Sequence, residues 1–407
     1  MRQPLNISEI RREFPILEEK INGKPLVYFD NAASSQKPLS VINTISNYYL
    51  KEHANIHRGV HTLSQKATSR YEEVREKLAN WIGADSKEII FTRGTTEAIN
   101  LFASTYGAAN LKEDDEVIIS TLEHHSNMVP WHMWCEKTGA KLRIIPINDK
   151  GELQLDEYVK LLSNRTKIVA VSHVSNTLGT VNNVKFIIDK AHEFGAVVLL
   201  DGAQALPHFK VNVAELDCDF YASSAHKMYG PTGIGFLYGK ADLLEKMPPY
   251  HGGGEMIKSV SLEESTYADL PFKFEAGTPS IADTIAFGAA IDFVEKYGIE
   301  QIAAHEKMLH DYATKELSQI EGIRFIGTAD NKAGVVSFLI GDIHPYDLGV
   351  ILDQLGIAVR TGHHCTEPLM HRFNIPGTVR ASFAIYNTKE EVDVFIAGVK
   401  RAVRMLS

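Results

Sequence analysis

Ala196-Val197-Val198-Leu199-Leu200-Asp201, followed by Gly202-Ala203-Gln204, decides how this chain folds. An apolar run without alternation reads as a strand buried on both faces, as in the middle of a parallel sheet. It ends on a carboxylate. In open α/β sheets, ligands bind just beyond the carboxyl ends of the strands. A second strand, Asp219–Ser223, runs directly into Ser224-Ala225-His226-Lys227 and then Gly230-Pro231-Thr232-Gly233. Two neighbouring strand ends thus present an acid and an amine.

Other short apolar runs fit the same sheet: Ile89–Thr92, Glu116–Ser120, Leu142–Ile147, Lys167–Val174 and Gly233–Tyr238. Helical patterns separate several of them. Tyr71, Val74, Leu78, Trp81 and Ile82 recur at helical spacing, and Gly83 stops that helix. Ile99 and Phe102 lie on a helix opened by Thr95 and Thr96. The alternation predicts an α/β unit with a mainly parallel central sheet over 27–290. Beyond it the pattern changes. Helices are expected over Ile281–Tyr297, Gln301–Gln319 and Tyr346–Leu355, with a strand at Gly334–Ile340. A last helix opens at the capping-box sequence Thr388-Lys389-Glu390-Glu391. These make a smaller α+β domain over 291–407, with an N-terminal arm, 1–26, expected to pack on it.

The chain has 407 residues, long enough for a full core without disulfide staples. Its net charge of −9 argues against a general binder of nucleic-acid backbones. The three cysteines, Cys135, Cys218 and Cys365, are odd in number and far apart, which suggests reduced thiols. The start lacks a continuous apolar segment, so no signal peptide is expected. No apolar run approaches the ~18 residues of a membrane span. A soluble, cytoplasmic protein with neither nucleic-acid nor membrane partners is the expectation.

A lysine after a strand can form an imine with an aldehyde. An aspartate facing a pyridinium nitrogen completes the usual protein contribution to pyridoxal phosphate chemistry. Alone, a loop lysine is a solvated charge and a strand-end aspartate a cap; their combination in this context is the specific signal. Gly94-Thr95-Thr96 joins a strand to a helix, where free amides and two hydroxyls suit a phosphate monoester, although such a start is also an ordinary cap. Ser224 and His226 offer further donors. Gly252-Gly253-Gly254 lacks the spacing of a nucleotide loop, and no Gly-x-Gly-x-x-Gly follows an early strand, which excludes a dinucleotide-dependent dehydrogenase.

The chain resembles the fold-type I pyridoxal-phosphate enzymes of the aminotransferase class V group, and within it the SUF-type (group II) cysteine desulfurases and their relatives the selenocysteine lyases. The resemblance rests on Asn31-Ala32-Ala33, His57-Arg58-Gly59, Arg93-Gly94-Thr95-Thr96-Glu97, Glu123-His124-His125, Ser172-His173-Val174-Ser175-Asn176, Asp201-Gly202-Ala203-Gln204, His226-Lys227 and Arg360-Thr361-Gly362-His363-His364-Cys365. It implies pyridoxal 5'-phosphate held covalently by Lys227. Asp201 would face the ring nitrogen and Gln204 the phenolic oxygen. His124 would stack on the ring and assist proton transfer. Thr95, Thr96, Ser224 and His226 would hold the phosphate, with Thr278 reaching it from the other subunit of a homodimer. Arg380 would clamp the substrate carboxylate with help from Asn176, while Arg360 and His57 line the entrance.

Cys365 lies between Gly362 and Pro368, in a sequence that bends the chain and exposes it. His363, His364 and Arg360 are expected to favour its thiolate, the form that attacks sulfur. A buried small thiol is the bland alternative, and the preferred one for Cys135 and Cys218. Zinc held by the His-His-Cys run, or by His124 and His125, is disfavoured by adjacent ligands and a missing third partner, so no metal is expected. The resemblance implies that sulfur leaves L-cysteine as a persulfide on Cys365, with L-alanine as co-product. A protein acceptor of the SUF system would then take it for iron–sulfur cluster assembly. L-selenocysteine is the alternative substrate. Cys365 argues against a transaminase or a kynureninase-like hydrolase, and its presence beside Lys227 argues against a silent scaffold.

Overall fold

The computed structural model describes residues 5–406. Its main sheet has seven strands: β1 (Ile89–Thr92), β2 (Glu116–Ser120), β3 (Lys141–Ile145), β4 (Thr166–Ser172), β5 (Val197–Asp201), β6 (Phe220–Ser224) and β7 (Gly235–Gly239). Their spatial order is β1-β7-β6-β5-β4-β2-β3. Only β7 runs against its neighbours β1 and β6; the other pairings are parallel. The central strands are covered on both faces, which is why their sequences run apolar without alternation. Parallel register puts Asp201 beside Ser172 and Ala222. The carboxyl ends of β4, β5 and β6 therefore converge on one edge.

A second sheet, all antiparallel, contains β8 (Ile323–Phe325), β9 (Val335–Ile340), β10 (Arg360–Gly362) and β11 (Thr378–Ser382) in the order β8-β9-β11-β10. Its helices Pro345–Gln354 and Lys389–Leu406 close a core around Val336, Phe338, Leu352, Phe395 and Val399. The expected helix Ile281–Tyr297 is present, and its buried side chains belong to the core of the larger sheet. A boundary at 290 would cut this helix; Gly298, which ends it, is the better division.

The arm does not rest on the smaller unit alone. Residues 1–4 lie outside the described residues. Arg11 bonds Glu391 and the Tyr386 carbonyl. Phe14, fully buried, meets Tyr229, Phe293 and Tyr386 edge-on or tilted, and so belongs to the core of the larger sheet. Val27–Tyr28 then pairs in parallel with Ile357–Ala358.

One buried ion pair braces the large unit. Arg75, on helix Thr62–Ile82, makes a bidentate contact with Glu275 at 2.7 and 2.9 Å and lies 4.6 Å over the Phe91 ring. Glu275 also accepts the Phe91 amide at 2.7 Å. Glu72 also bonds the guanidinium, at 2.7 and 3.3 Å, so removing Glu275 leaves Arg75 half-paired and the Phe91 amide without its acceptor. Glu275→Ala is expected to lower stability by about 1–3 kcal/mol, the cost of buried donors left unsatisfied, measured by urea denaturation. A loss of only a few tenths would show that Glu72 alone compensates the guanidinium.

Candidate functional site

The converging strand ends, the small sheet and the segment after Asp30 enclose a cavity of about 340 Å³. Lys227, Asp201, His124, Thr95, Thr96, Gln204, Ser224, His226, Asn176, Arg360, Arg380 and Cys365 all line it. His57 and Thr278 do not. His57 pairs with Glu72 at 3.0 Å, and Thr278 lines a separate cavity of about 620 Å³ with Tyr250 and Glu275.

Lys227 ends a short 3-10 turn directly after β6. Burial lowers its pKa to about 8, with Asp201 acting in the opposite sense. At pH 7 such an amine is about one-tenth neutral, which makes it a usable nucleophile. Asp201 accepts the Ala203 amide at 3.0 Å. Burial raises its pKa, against the pull of Lys227. Gly202 is required next to it: a Cβ there would sit 1.9 Å from the Tyr221 ring.

His124 Nδ1 accepts the Ser126 amide at 3.1 Å, which leaves the ring proton on Nε2. Burial, with Lys227 nearby, lowers its pKa to about 3, so the ring is neutral. Gln204 gives one amide hydrogen to the Ala32 carbonyl and keeps another. Gly94 caps helix Thr95–Phe102 without a side chain, so its first turn keeps amides for an anion. Ser224 Oγ meets both the Thr95 amide (2.8 Å) and its hydroxyl (2.7 Å).

Arg360 and Arg380 face each other across β10 and β11. Like charges placed so repel. Asp30 lies between them, bonding Arg360 at 2.8–3.2 Å and Arg380 at 3.3 Å. Arg380 also donates to the Asn176 carbonyl, at 2.9 Å, while its buried Nε has no partner. Burial lowers its pKa to about 10, which still leaves it charged at neutral pH. An unpaired buried donor beside a cavity is a place for an incoming carboxylate. Asp30 was not singled out in the sequence. Its neighbours Asn31-Ala32-Ala33 were, but its role depends on two arginines 330 and 350 positions away.

Cys365 is exposed, whereas Cys135 and Cys218 are buried. His364 and Cys365 both take left-handed backbone conformations, φ 53° and 58°, each costing roughly 1–2 kcal/mol outside glycine. Asn176 Nδ2 holds the His364 carbonyl at 2.8 Å, and His364 Nε2 meets Thr378 Oγ1 at 2.8 Å. His364 does not help charge the thiol as expected: burial, with the two arginines, lowers its pKa to about 2. Positive charge near the sulfur comes from Arg360, Arg380 and Lys227.

These residues fit pyridoxal phosphate: an amine for the aldehyde, an acid beside it, a helix start for the phosphate, a neutral imidazole, and an orphaned guanidinium nitrogen for an amino-acid carboxylate. Among the described residues no three His, Cys, Asp or Glu side chains group to hold a metal. No described helix is long and apolar enough to cross a membrane.

Residues 27–395 match the aminotransferase class-V family. A probable cysteine desulfurase of Halalkalibacterium halodurans is 52% identical, covering 98% of both chains. A cysteine desulfurase of Synechococcus elongatus is 51% identical over 97% of this chain, which spans 63% of that longer protein. The crystal structure of a cysteine desulfurase from Escherichia coli superposes with a TM-score of 0.93 at 40% identity, covering all of both chains. The chain belongs to the aminotransferase class-V family of fold-type I pyridoxal-phosphate enzymes, among its cysteine desulfurases.

Proposed function

We propose that the chain removes sulfur from L-cysteine, giving L-alanine and a persulfide on Cys365, and that the sulfur passes to a protein acceptor of the SUF system for iron–sulfur cluster assembly. The reading is carried by one observation: the Lys227 amine and the Cys365 sulfur line the same cavity. Bound pyridoxal phosphate supplies an electron sink for bond breaking at the substrate's Cα. Lys227 would hold the cofactor through Nζ and, as a free amine, would move the substrate's Cα proton at that nitrogen. Asp201 would stabilise positive charge at the cofactor's ring nitrogen. Arg380 anchors the substrate carboxylate, with Asn176 beside it. His124, which keeps its proton on Nε2, would stand by the cofactor as a donor.

The Cys365 thiolate attacks the substrate sulfur. The S–S bond forms as the Cβ–S bond breaks, the bonding pair stays on carbon, and protonation there leads to alanine. Cys365 sits on a short turn tied to the scaffold, which limits its reach and favours an acceptor that enters the cavity. In the same reading the enzyme is a cytoplasmic homodimer. Thr278 lies away from its own chain's cavity, which supports its donation to a partner's phosphate site.

The test measures alanine and sulfide together from L-cysteine, with and without a thiol reductant. With reductant the two products should appear in equal amounts. Without it, alanine should stop near one equivalent per site. Alanine without transferable sulfur, or pyruvate in its place, would exclude the reading.

A further inference from the structure

We propose that His125 is the positioning residue for the Cys365 sulfur. The inference rests on the reading of Cys365 as nucleophile. His125 does not line the cavity, whereas its neighbour His124 does. Instead it grips the turn on both sides of the thiol. Its backbone amide donates to the Cys365 carbonyl at 2.8 Å. Its Nε2 accepts the Glu367 amide at 3.2 Å. That amide opens helix Glu367–Phe373, whose cap residue Thr366 gives no side-chain cap of its own; the Thr366 hydroxyl is turned to the His363 carbonyl and to Thr177. An imidazole from a distant loop thus does the capping.

The grip has something to hold. Two successive left-handed residues, His364 and Cys365, do not keep that conformation unless their surroundings fix it. Asn176 and Thr177 hold the turn from one side, and His125 from the other. The foundation of His125 is equally fixed. The adjacent Glu123, fully buried, accepts hydrogen bonds from Ser120, Ser172 and Asn127, which pin this loop to the ends of β2 and β4. One loop therefore sets both the ring that faces the cofactor site and the height of the nucleophile above it. Loss of the His125 acceptor should leave the fold and the cofactor site intact and displace only the sulfur.

The test compares wild-type, His125→Ala and His125→Gln holoenzymes. Glutamine is chosen because its side-chain carbonyl can reach the Glu367 amide. Three quantities are read: the cofactor's visible band, its change on titration with L-alanine, which has no sulfur to lose, and the single-turnover rate of alanine release from L-cysteine. His125→Ala should keep the first two and lose about 100-fold in the third, the cost of a misplacement near 1 Å. His125→Gln should recover most of that loss. An unchanged single-turnover rate in His125→Ala overturns the proposal. So does a parallel loss of the cofactor band or of L-alanine binding, which marks a merely structural residue. Absence of rescue by glutamine overturns the acceptor role. Cys365→Ala is assayed alongside, and retained desulfuration in that variant would refute the nucleophile itself.

Discussion

Cys365→Ala should bind its cofactor as tightly as the wild type and still bind L-cysteine, yet lose sulfur transfer by at least about 100-fold, the scale of a lost positioned reactant. The expectation follows from where the residue lies. Its side chain is exposed at the cavity wall and makes no hydrogen bond to Asp201, His124, Thr95 or Ser224. Removing one sulfur atom leaves those groups in place. The clamp on its backbone, through the His364 and Cys365 carbonyls, is also indifferent to the side chain. Binding and transfer should therefore separate cleanly. Spectral titration measures the first, and mass spectrometry of sulfur bound to the protein after one turnover measures the second. Alanine and sulfide produced at the wild-type rate would require another nucleophile, and the buried Cys135 and Cys218 do not supply one.

Lys227→Ala removes more. The visible band of a covalently held cofactor should vanish, and turnover should fall by about 10⁴-fold or beyond, since a proton carrier and a covalent anchor are lost together. The phosphate-binding helix start and Ser224 remain, so weak non-covalent retention is expected. The wild-type apoprotein offers a graded check. Burial places the amine near pKa 8, below its ordinary value. The neutral form therefore grows as pH rises towards 8 and saturates above it. Covalent uptake of pyridoxal phosphate should accelerate about tenfold from pH 6 to 7 and level off beyond about 8. A rate still climbing steeply at pH 10 would mean that the amine sits in water-like surroundings.

The sheet was legible because its strands are buried on both faces and so are written as continuous apolar runs. β1, β2 and β5 lie within a residue of expectation, and β3, β4, β6 and β7 start or end only one or two residues away. What the sequence did not disclose lacks that pattern. β10 and β11 are short and carry arginines, one of them fully buried. The hairpin Ile257–Tyr267 is exposed along most of its length, so no face of it had to be apolar. In the site, Lys227, Asp201 and Cys365 could be read because each lies in a local context that restricts its chemistry. Asp30 and His125 could not, because their partners are remote in the chain. The charge on His364 was misjudged for a related reason: the bent segment from Gly362 to Pro368 reads as exposed, and only the fold, which buries His364 against Thr378 with Arg380 nearby, reveals it as neutral.

The threading of the N-terminal arm has a consequence for biosynthesis. Phe14 waits for Tyr386, Val27 for Ile357, and the Ala32 amide for the Ser382 hydroxyl. Every one of these companions is synthesised at least 330 residues after the residue that needs it. Until they appear the apolar arm has only part of its docking surface, in Tyr229 and Phe293, and such incompletely covered surface is what molecular chaperones capture. The wall formed by Ala32 and Ala33 can close only after Ser382 has been made, so the vitamin-binding chamber is completed by a segment synthesised long after its first residues.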